Sequence, residues 1–536
     1  MKTKFTLFFL LIYALTLAQA PPMLWNSFFN GSLTGQDEAR SVITDSVGNV
    51  YVTGTCYQNF SGGNFTTIKY NPSGIQQWAD HYAQTLSGFT NDGLKLVKDR
   101  WNNIYAVGTM AINLSDLGII KYNSSGRLWA HNYEPYWFGS DIDYGKDIAV
   151  DTFGNLYAIA QMTSLNGQLW DVMVLKTDSA GTEISKDTYS SASGDDWPTS
   201  IAVTPGGNTF ALSSSFNFWG SGNYDITTLN YVGSTQNWVA FYNGPGNDFD
   251  YGTFIKADVS GNQYVCGSSN SGTNDDMVVL KRNLSDSLQW SFTYNGIGNG
   301  NDTAISTALL PNGFVVVTGR CKEMYNSIVT DAIVTILLDS GTVVWTRKFY
   351  GSSNTGAVPL NIITDAAGNI FICGYEVVSS GTLNGCIIRY DSNGNLQWNI
   401  SYDGGLSHDD KFNSITLDNN QNILVTGQSF TTIVEAMYVT VKYGSTITTV
   451  NENNSSGTDL LIYPNPAEAG ETIKIKSKNL FSGIPFSVYD LAGRIIDNGI
   501  IIQNELKIKS RLQAGTYIIE LYASGKKIHQ KIFICE

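Results

Sequence analysis

The sequence predicts an all-β chain: a closed ring of eight four-stranded blades, a β-propeller, followed by a small β-sandwich. Three observations predict it. A turn-and-strand phrase, first written Asp45-Ser46-Val47-Gly48-Asn49-Val50-Tyr51-Val52-Thr53-Gly54, returns seven more times. No helical periodicity interrupts the repeats. Composition agrees, with 53 Gly and 29 Tyr but only 15% charged residues, as in a protein of strands and many turns.

Within the phrase, Asp45 is placed to hydrogen-bond the backbone of its own turn, and Gly48 supplies the positive φ such turns need. Val50 to Thr53 are β-branched or aromatic and read as a strand. The closing position is Gly54, Gly108, Ala160, Ser213, Gly267, Gly319, Gly374 and Gly427. Its span of 373 residues over seven steps gives a period of about 53, at the long end for propeller repeats. Each unit holds four strand-like segments. Strand A precedes the turn, strand B is the phrase itself, and strand C is an alternating run such as Thr66-Thr67-Ile68-Lys69-Tyr70. Strand D follows a second turn (Asn71-Pro72-Ser73-Gly74) and carries a Trp: Trp78, Trp129, Trp238, Trp290, Trp345 or Trp398, with Ile184 filling the third slot.

Ring closure is also written in the chain. The eighth unit stops after strand C, at Tyr443, and a spare Trp strand, Leu24 to Gly31, stands before the first unit. It resembles Gln289 to Gly296 almost position by position, so it is expected to complete the last blade. Units of this form, D-x-x-G-N-x-Y-V-x-G, then I-K-Y-N-x-x-G, then W, resemble the bacterial β-propeller repeat known as the SBBP repeat. That resemblance covers residues 24 to 443, implies the fold, and says almost nothing about function.

The ends are different in kind. Lys2 and Lys4 followed by the apolar run Phe5 to Leu17 read as a signal peptide over 1–18, with Thr16-Leu17-Ala18 as the cleavage site. The body is assigned to 21–443. Gly444 to Asp459 is rich in Ser, Thr, Asn and Gly and reads as a linker. Beyond it stand Ile462-Tyr463-Pro464-Asn465-Pro466, Val488-Tyr489-Asp490-Leu491-Ala492-Gly493-Arg494 and Leu512-Gln513-Ala514-Gly515-Thr516-Tyr517-Ile518. These phrases resemble the C-terminal sorting domain of the type IX (Por) secretion system of Bacteroidota, over 460–536. Alternating strands with Gly turns in this segment predict a small Ig-like β-sandwich of about seven strands. The resemblance implies the type IX machinery as a partner, passage to the cell surface and removal of the domain there.

A net charge of −14 with no Lys/Arg cluster argues against nucleic acid as a partner. No stretch after the signal region is long and apolar enough to span a membrane as a helix. Six scattered cysteines without C-x-x-C argue against zinc and a disulfide scaffold. Cys373 and Cys386, on successive strands, are placed to face each other, as a disulfide or as buried thiols.

Motifs for nucleophilic or metal catalysis are missing, and the four histidines (His81, His131, His408, His529) have no partners at suggestive spacing. Two constellations remain. Eight residues before each A–B turn stand Asp37, Asn91, Asp143, Asp196, Asp250, Asp302, Ala357 and Asp410. This ring suits either structural loop bonding or cations, and the best calcium candidates are Asp141, Asp143 and Asp147, then Asp248 and Asp250, without the closing Glu of a calcium loop. The second constellation is aromatic. On the face shared by the D–A and B–C loops fall Trp137, Trp170, Trp197 and Trp219, beside Asp143 and Asp196. The expected function is therefore that of a secreted, surface-displayed module binding a glycan or protein ligand. The competing expectation is an enzyme acting on polysaccharide through a carboxylate pair of the ring.

Overall fold

The computed structural model describes residues 20–445, except 32–34, 58–61, 83–90, 112–114, 135–141, 165–168, 192–193, 218–221, 406–407 and 433–434, together with the strands between 461 and 535. The segment expected to be a signal peptide, and nearly all of the expected linker, lie outside the described residues. The chain divides into two compact units, Met1–Ser445 and Thr446–Glu536.

Eight four-stranded antiparallel sheets make up the described part of the first unit. Seven have the strand order A-B-C-D. The eighth joins Asp410–Leu417, Ile423–Phe430 and Ala436–Tyr443 to the N-terminal strand Met23–Phe29, which pairs with the third through Trp25↔Lys442 and Ser27↔Thr440. The predicted closure is thus present. The A strands are Glu38–Thr44, Asp92–Lys98, Asp143–Val150, Asp196–Val203, Asp250–Ala257, Thr303–Leu309, Ala357–Thr364 and Asp410–Leu417. Each touches the A strands of both neighbouring blades, the last returning to the first, so they line the axis of the ring. Among the described residues there is no helix, hence none long and apolar enough to cross a membrane.

The A–B turns form as the sequence demands. Asp45 Oδ1 accepts the amides of Val47 (3.1 Å) and Asn49 (2.9 Å), while Oδ2 accepts Asn49 Nδ2 (2.7 Å). Gly48 has φ 86°, and Asn102 and Gln421 take the same left-handed position in blades 2 and 8. At the outer rim, four strand-D tryptophans hydrogen-bond the C–D turn of the next blade. Trp25 Nε1 donates to Pro72 O (3.0 Å), Trp78 to Ser124 O (3.3 Å), Trp238 to Leu284 O (3.2 Å) and Trp345 to Ser392 O (3.2 Å). One slot needs correcting. Lys176 opposes Ser185 just as Lys69 opposes Trp78, so Ser185, not Ile184, holds the tryptophan position of blade 3. Ile184 points outward at 47% exposure.

Between the blades lie separate apolar clusters, each built from two adjacent sheets. One joins Tyr157, Ile159 and Val172 of blade 3 to Ile201, Ala211 and Leu229 of blade 4. The cysteine pairing is settled by register. Cys373 opposes Ile387 while Cys386 opposes Gly374, so the two thiols leave the sheet on opposite faces and enter different clusters. Both are free and buried, as are Cys56, Cys266 and Cys321. Burial pushes these thiols up, away from the reactive thiolate.

The second unit has eight strands among its described residues, in sheets of three and five. Phe486, Val488, Ile519 and Leu521 are buried in the larger one.

Candidate functional site

The two constellations expected at the D–A/B–C face separate into a structural one and an exposed aromatic one. The ring carboxylates serve the loops. Asp37 accepts the amides of Gly31 and Tyr57, each at 2.7 Å, tying the end of one blade to the B–C segment of the next. Asp250 and Asp410 accept Gly244 N (2.6 Å) and Gly404 N (2.7 Å) in the same way, and Asp196 accepts Ser191 N (2.9 Å). Asp302 takes both Gly296 N and Lys322 N, and Asn91 accepts Ala111 N (2.8 Å). Asp37, Asp143, Asp196, Asp250 and Asp302 are fully buried. Burial is also the main reason the acidity of Asp37, Asp196, Asp250 and Asp302 falls. Asp196 is raised to about 7, with nearby Asp171 adding to the effect, and Asp250 and Asp302 are each raised to about 6.

Blade 7 keeps this bond without the aspartate. Ala357 cannot make it, but its cross-strand partner Glu376 is fully buried and accepts Ser352 N of the D–A loop. Glu376 occupies the position two after the closing glycine, which elsewhere is Cys56, Met110, Met162, Ser215, Ser269, Cys321 and Ser429. A lone carboxylate in that column, beside the one unit with alanine in the ring, was the available sequence signal.

No group of three or more His, Cys, Asp or Glu is gathered to hold a metal among the described residues. Asp141 lies outside them. Asp147 is engaged elsewhere: Oδ1 faces Lys95 Nζ at 2.7 Å, and Oδ2 accepts Ser200 Oγ (2.9 Å) and Ile201 N (3.0 Å). Asp248 accepts the amide of its neighbour Phe249 (2.9 Å).

Of the four tryptophans expected to mark the face, Trp137 and Trp219 lie outside the described residues. Trp170 begins strand C of blade 3, and Trp197 is the second residue of strand A of blade 4. They do not meet. Trp170 leans on Tyr144 (centroids 5.7 Å apart). Trp197 stacks on Tyr224 at 4.5 Å and 10°, and on Tyr251 of blade 5 at 6.1 Å and 25°. Phe249 closes the group, 5.9 Å from Tyr224 and 6.2 Å from Tyr251 at an interplanar angle of 2°. Four near-parallel rings from two blades thus form a quartet at the loop face, with Phe249 43% exposed and Trp197 half-buried. The expected site did not include Tyr224, Phe249 and Tyr251, although each stands within one residue of a strand start on that face.

A β-propeller with a separate C-terminal β-unit is the class these features define. Residues 461–535 match the family model for the secretion system C-terminal sorting domain, the Por secretion tail. The chain therefore carries a type IX export signal and is addressed to the cell surface or beyond. A comparison with curated protein sequences finds no match. Among solved structures, PorZ of Porphyromonas gingivalis, described as an essential bacterial surface component of the type IX secretion system, is 14% identical. It is matched over 94% of this chain and 75% of its own, with a TM-score of 0.31. An α-L-arabinanase of Penicillium chrysogenum is 14% identical over 55% of this chain and 91% of its own, with a TM-score of 0.36. The β-propeller domain of the trilobed protease of Pyrococcus furiosus is 9% identical over 63% and 90%, with a TM-score of 0.36. None of these similarities is strong enough to transfer a ligand or an activity.

Proposed function

We propose that the propeller is a surface-displayed binding module that holds a glycan on its D–A/B–C face, with the quartet of Trp197, Tyr224, Phe249 and Tyr251 as the platform. The observation that supports it most is the exposed edge of a flat aromatic stack where no core requires one. Indole, phenol and phenyl faces present apolar area to the C–H face of a sugar ring at little entropic cost. Trp170 and Tyr144, 38% exposed, extend the aromatic surface into blade 3, where the expected site also included Trp137 and, in blade 4, Trp219. A protein ligand would use the same surface through the same contacts.

The hydrolase reading needs two carboxylates open to a glycosidic bond. Asp196 and Asp171 are the nearest to that description, and they are 0% and 5% exposed. Their burial favours binding over catalysis.

The test separates platform from packing. Phe249→Ala, at the exposed end of the quartet, is expected to reduce retention on polysaccharide surfaces several-fold while the melting temperature stays within about a degree. Retention equal to the parent protein, with Trp197→Ala equally harmless to retention, would remove the quartet from the site.

A further inference from the structure

The repeat dictates most of what lines the axis, so departures from it stand out. Every A strand carries a one-residue bulge, as between Ala39 and Ser41 or Gly252 and Phe254. The residue just after it forms a ring of eight around the axis. That ring is serine in four blades (Ser41, Ser200, Ser306, Ser414) and asparagine (Asn361) in a fifth. In two of these the reason is structural: Ser414 Oγ accepts Val42 N (3.3 Å) and Ser41 Oγ accepts Leu96 N (3.1 Å), latching blade 8 to blade 1 and blade 1 to blade 2. In the remaining three blades the ring holds Lys95, Asp147 and Phe254. Asp147 keeps the latch by accepting Ile201 N, and its other oxygen faces Lys95. Two residues further along, a second ring is apolar or small in seven blades (Ile43, Val97 and Ala149 among them, Thr416 the most polar). In blade 5 it is Lys256.

These exceptions converge. Lys95 of blade 2 lies 5.8 Å from the centroid of Phe254 of blade 5, a contact made across the axis rather than between neighbouring blades. Lys256, on the same strand as Phe254, is close enough to feel the charges of both Lys95 and Asp147. Two ammonium groups thus meet one carboxylate. Asp147 is already bonded to Lys95, Ser200 and two backbone amides, those of Ile148 and Ile201. Lys256 makes no hydrogen bond or close ion pair with any described residue. Lys256 is exposed to solvent, and partial desolvation on its strand, then the charge of Lys95, lower its ammonium. Lys256 thus shares the field of a carboxylate whose oxygens are already engaged by Lys95, Ser200 and two amides, which leaves its ammonium available to an anion.

We propose that the axial channel binds a small carboxylate, with Lys256 as the charged anchor and the Lys95–Asp147 pair and Phe254 forming its walls. A carboxylate accepts from the ammonium, and the cross-axis contact restricts the occupant to one sugar-acid unit or a comparably small organic acid. Both sources share the recognising group. The site is distinct from the aromatic platform and does not depend on it.

Calorimetric titration of the full chain at low ionic strength with galacturonate, acetate and galactose tests this. Galacturonate is expected to bind and neutral galactose to bind at least tenfold more weakly. Acetate binding as tightly as galacturonate would identify a free organic acid as the natural occupant; weaker acetate would point to the sugar acid. Lys256→Gln is expected to weaken carboxylate binding at least tenfold with an equal or higher melting temperature, and Lys256→Arg to retain it. Absence of binding by both acids, equal binding of galactose, or full binding by a folded Lys256→Gln protein would each overturn the proposal.

Discussion

The outer rim and the axis of this propeller obey the same eightfold repeat to different degrees. At the rim, Trp25, Trp78, Trp238 and Trp345 make one hydrogen bond in four blades, each to a carbonyl of the following C–D turn. At the axis five blades carry a small polar residue after the bulge, two of them latching to the next blade, while the other three carry Lys95, Asp147 and Phe254. The D–A ring lies between these extremes. Its residue changes from Asp to Asn to Ala, yet the loop bond survives through Asn91 in blade 2 and Glu376 in blade 7. The lesson is that a change which restores the repeated contact is structural. A change which abandons it, as Phe254 does at the latch position, is one the repeat itself does not require.

The comparison breaks most severely if the rim is opened. Removing residues 21–31 leaves the Ala436–Tyr443 strand as an unpaired edge and strips Trp25 and Phe29 from their half-buried seats, each worth on the order of 1–2 kcal/mol. The melting temperature is expected to fall by more than ten degrees with concentration-dependent aggregation. A melting curve matching the intact chain would show that the ring holds without its closing strand.

A smaller effect tests compensation in blade 7. Glu376→Ala leaves the Ser352 amide without its acceptor and should cost roughly 1–3 kcal/mol. Combining Glu376→Ser with Ala357→Asp recreates the arrangement of blades 4, 5 and 8 and should recover at least half of that loss in denaturant unfolding. If the double variant is no better than the single one, the Asp and Glu positions are not equivalent.

A further test concerns proton binding. The carboxyl of Asp196 titrates near 7 in the folded chain and near 3.8 unfolded, because burial favours its neutral form. Such a group stabilises the fold fully below about 3.8 and loses that contribution as pH rises towards 7, each unit being worth about 1.4 kcal/mol. Asn91 shows that an amide fits this position with one backbone donor, which is what Asp196 has in Ser191. Asp196→Asn should therefore gain stability relative to the parent as pH is raised from 4 to 8. Parallel stability curves for the two proteins across that range would mean that the buried group stays neutral or is solvated by other means.

The sequence by itself determined the period, the four strands per blade, the Asx turns, the closing strand and the sorting tail. Each is local or periodic: Asp45 bonds amides two and four residues away, and repetition multiplies the signal eightfold. Register was legible only to within a residue, which is why the blade 3 tryptophan slot falls on Ser185 and why Cys373 and Cys386 turn away from each other. Only the tertiary structure decided which exceptions to the repeat meet. The aromatic quartet draws on residues 197 to 251 from two blades, and Lys95 finds Phe254 across the ring. Curvature of the whole ring sets those distances, and no turn or strand encodes that curvature alone.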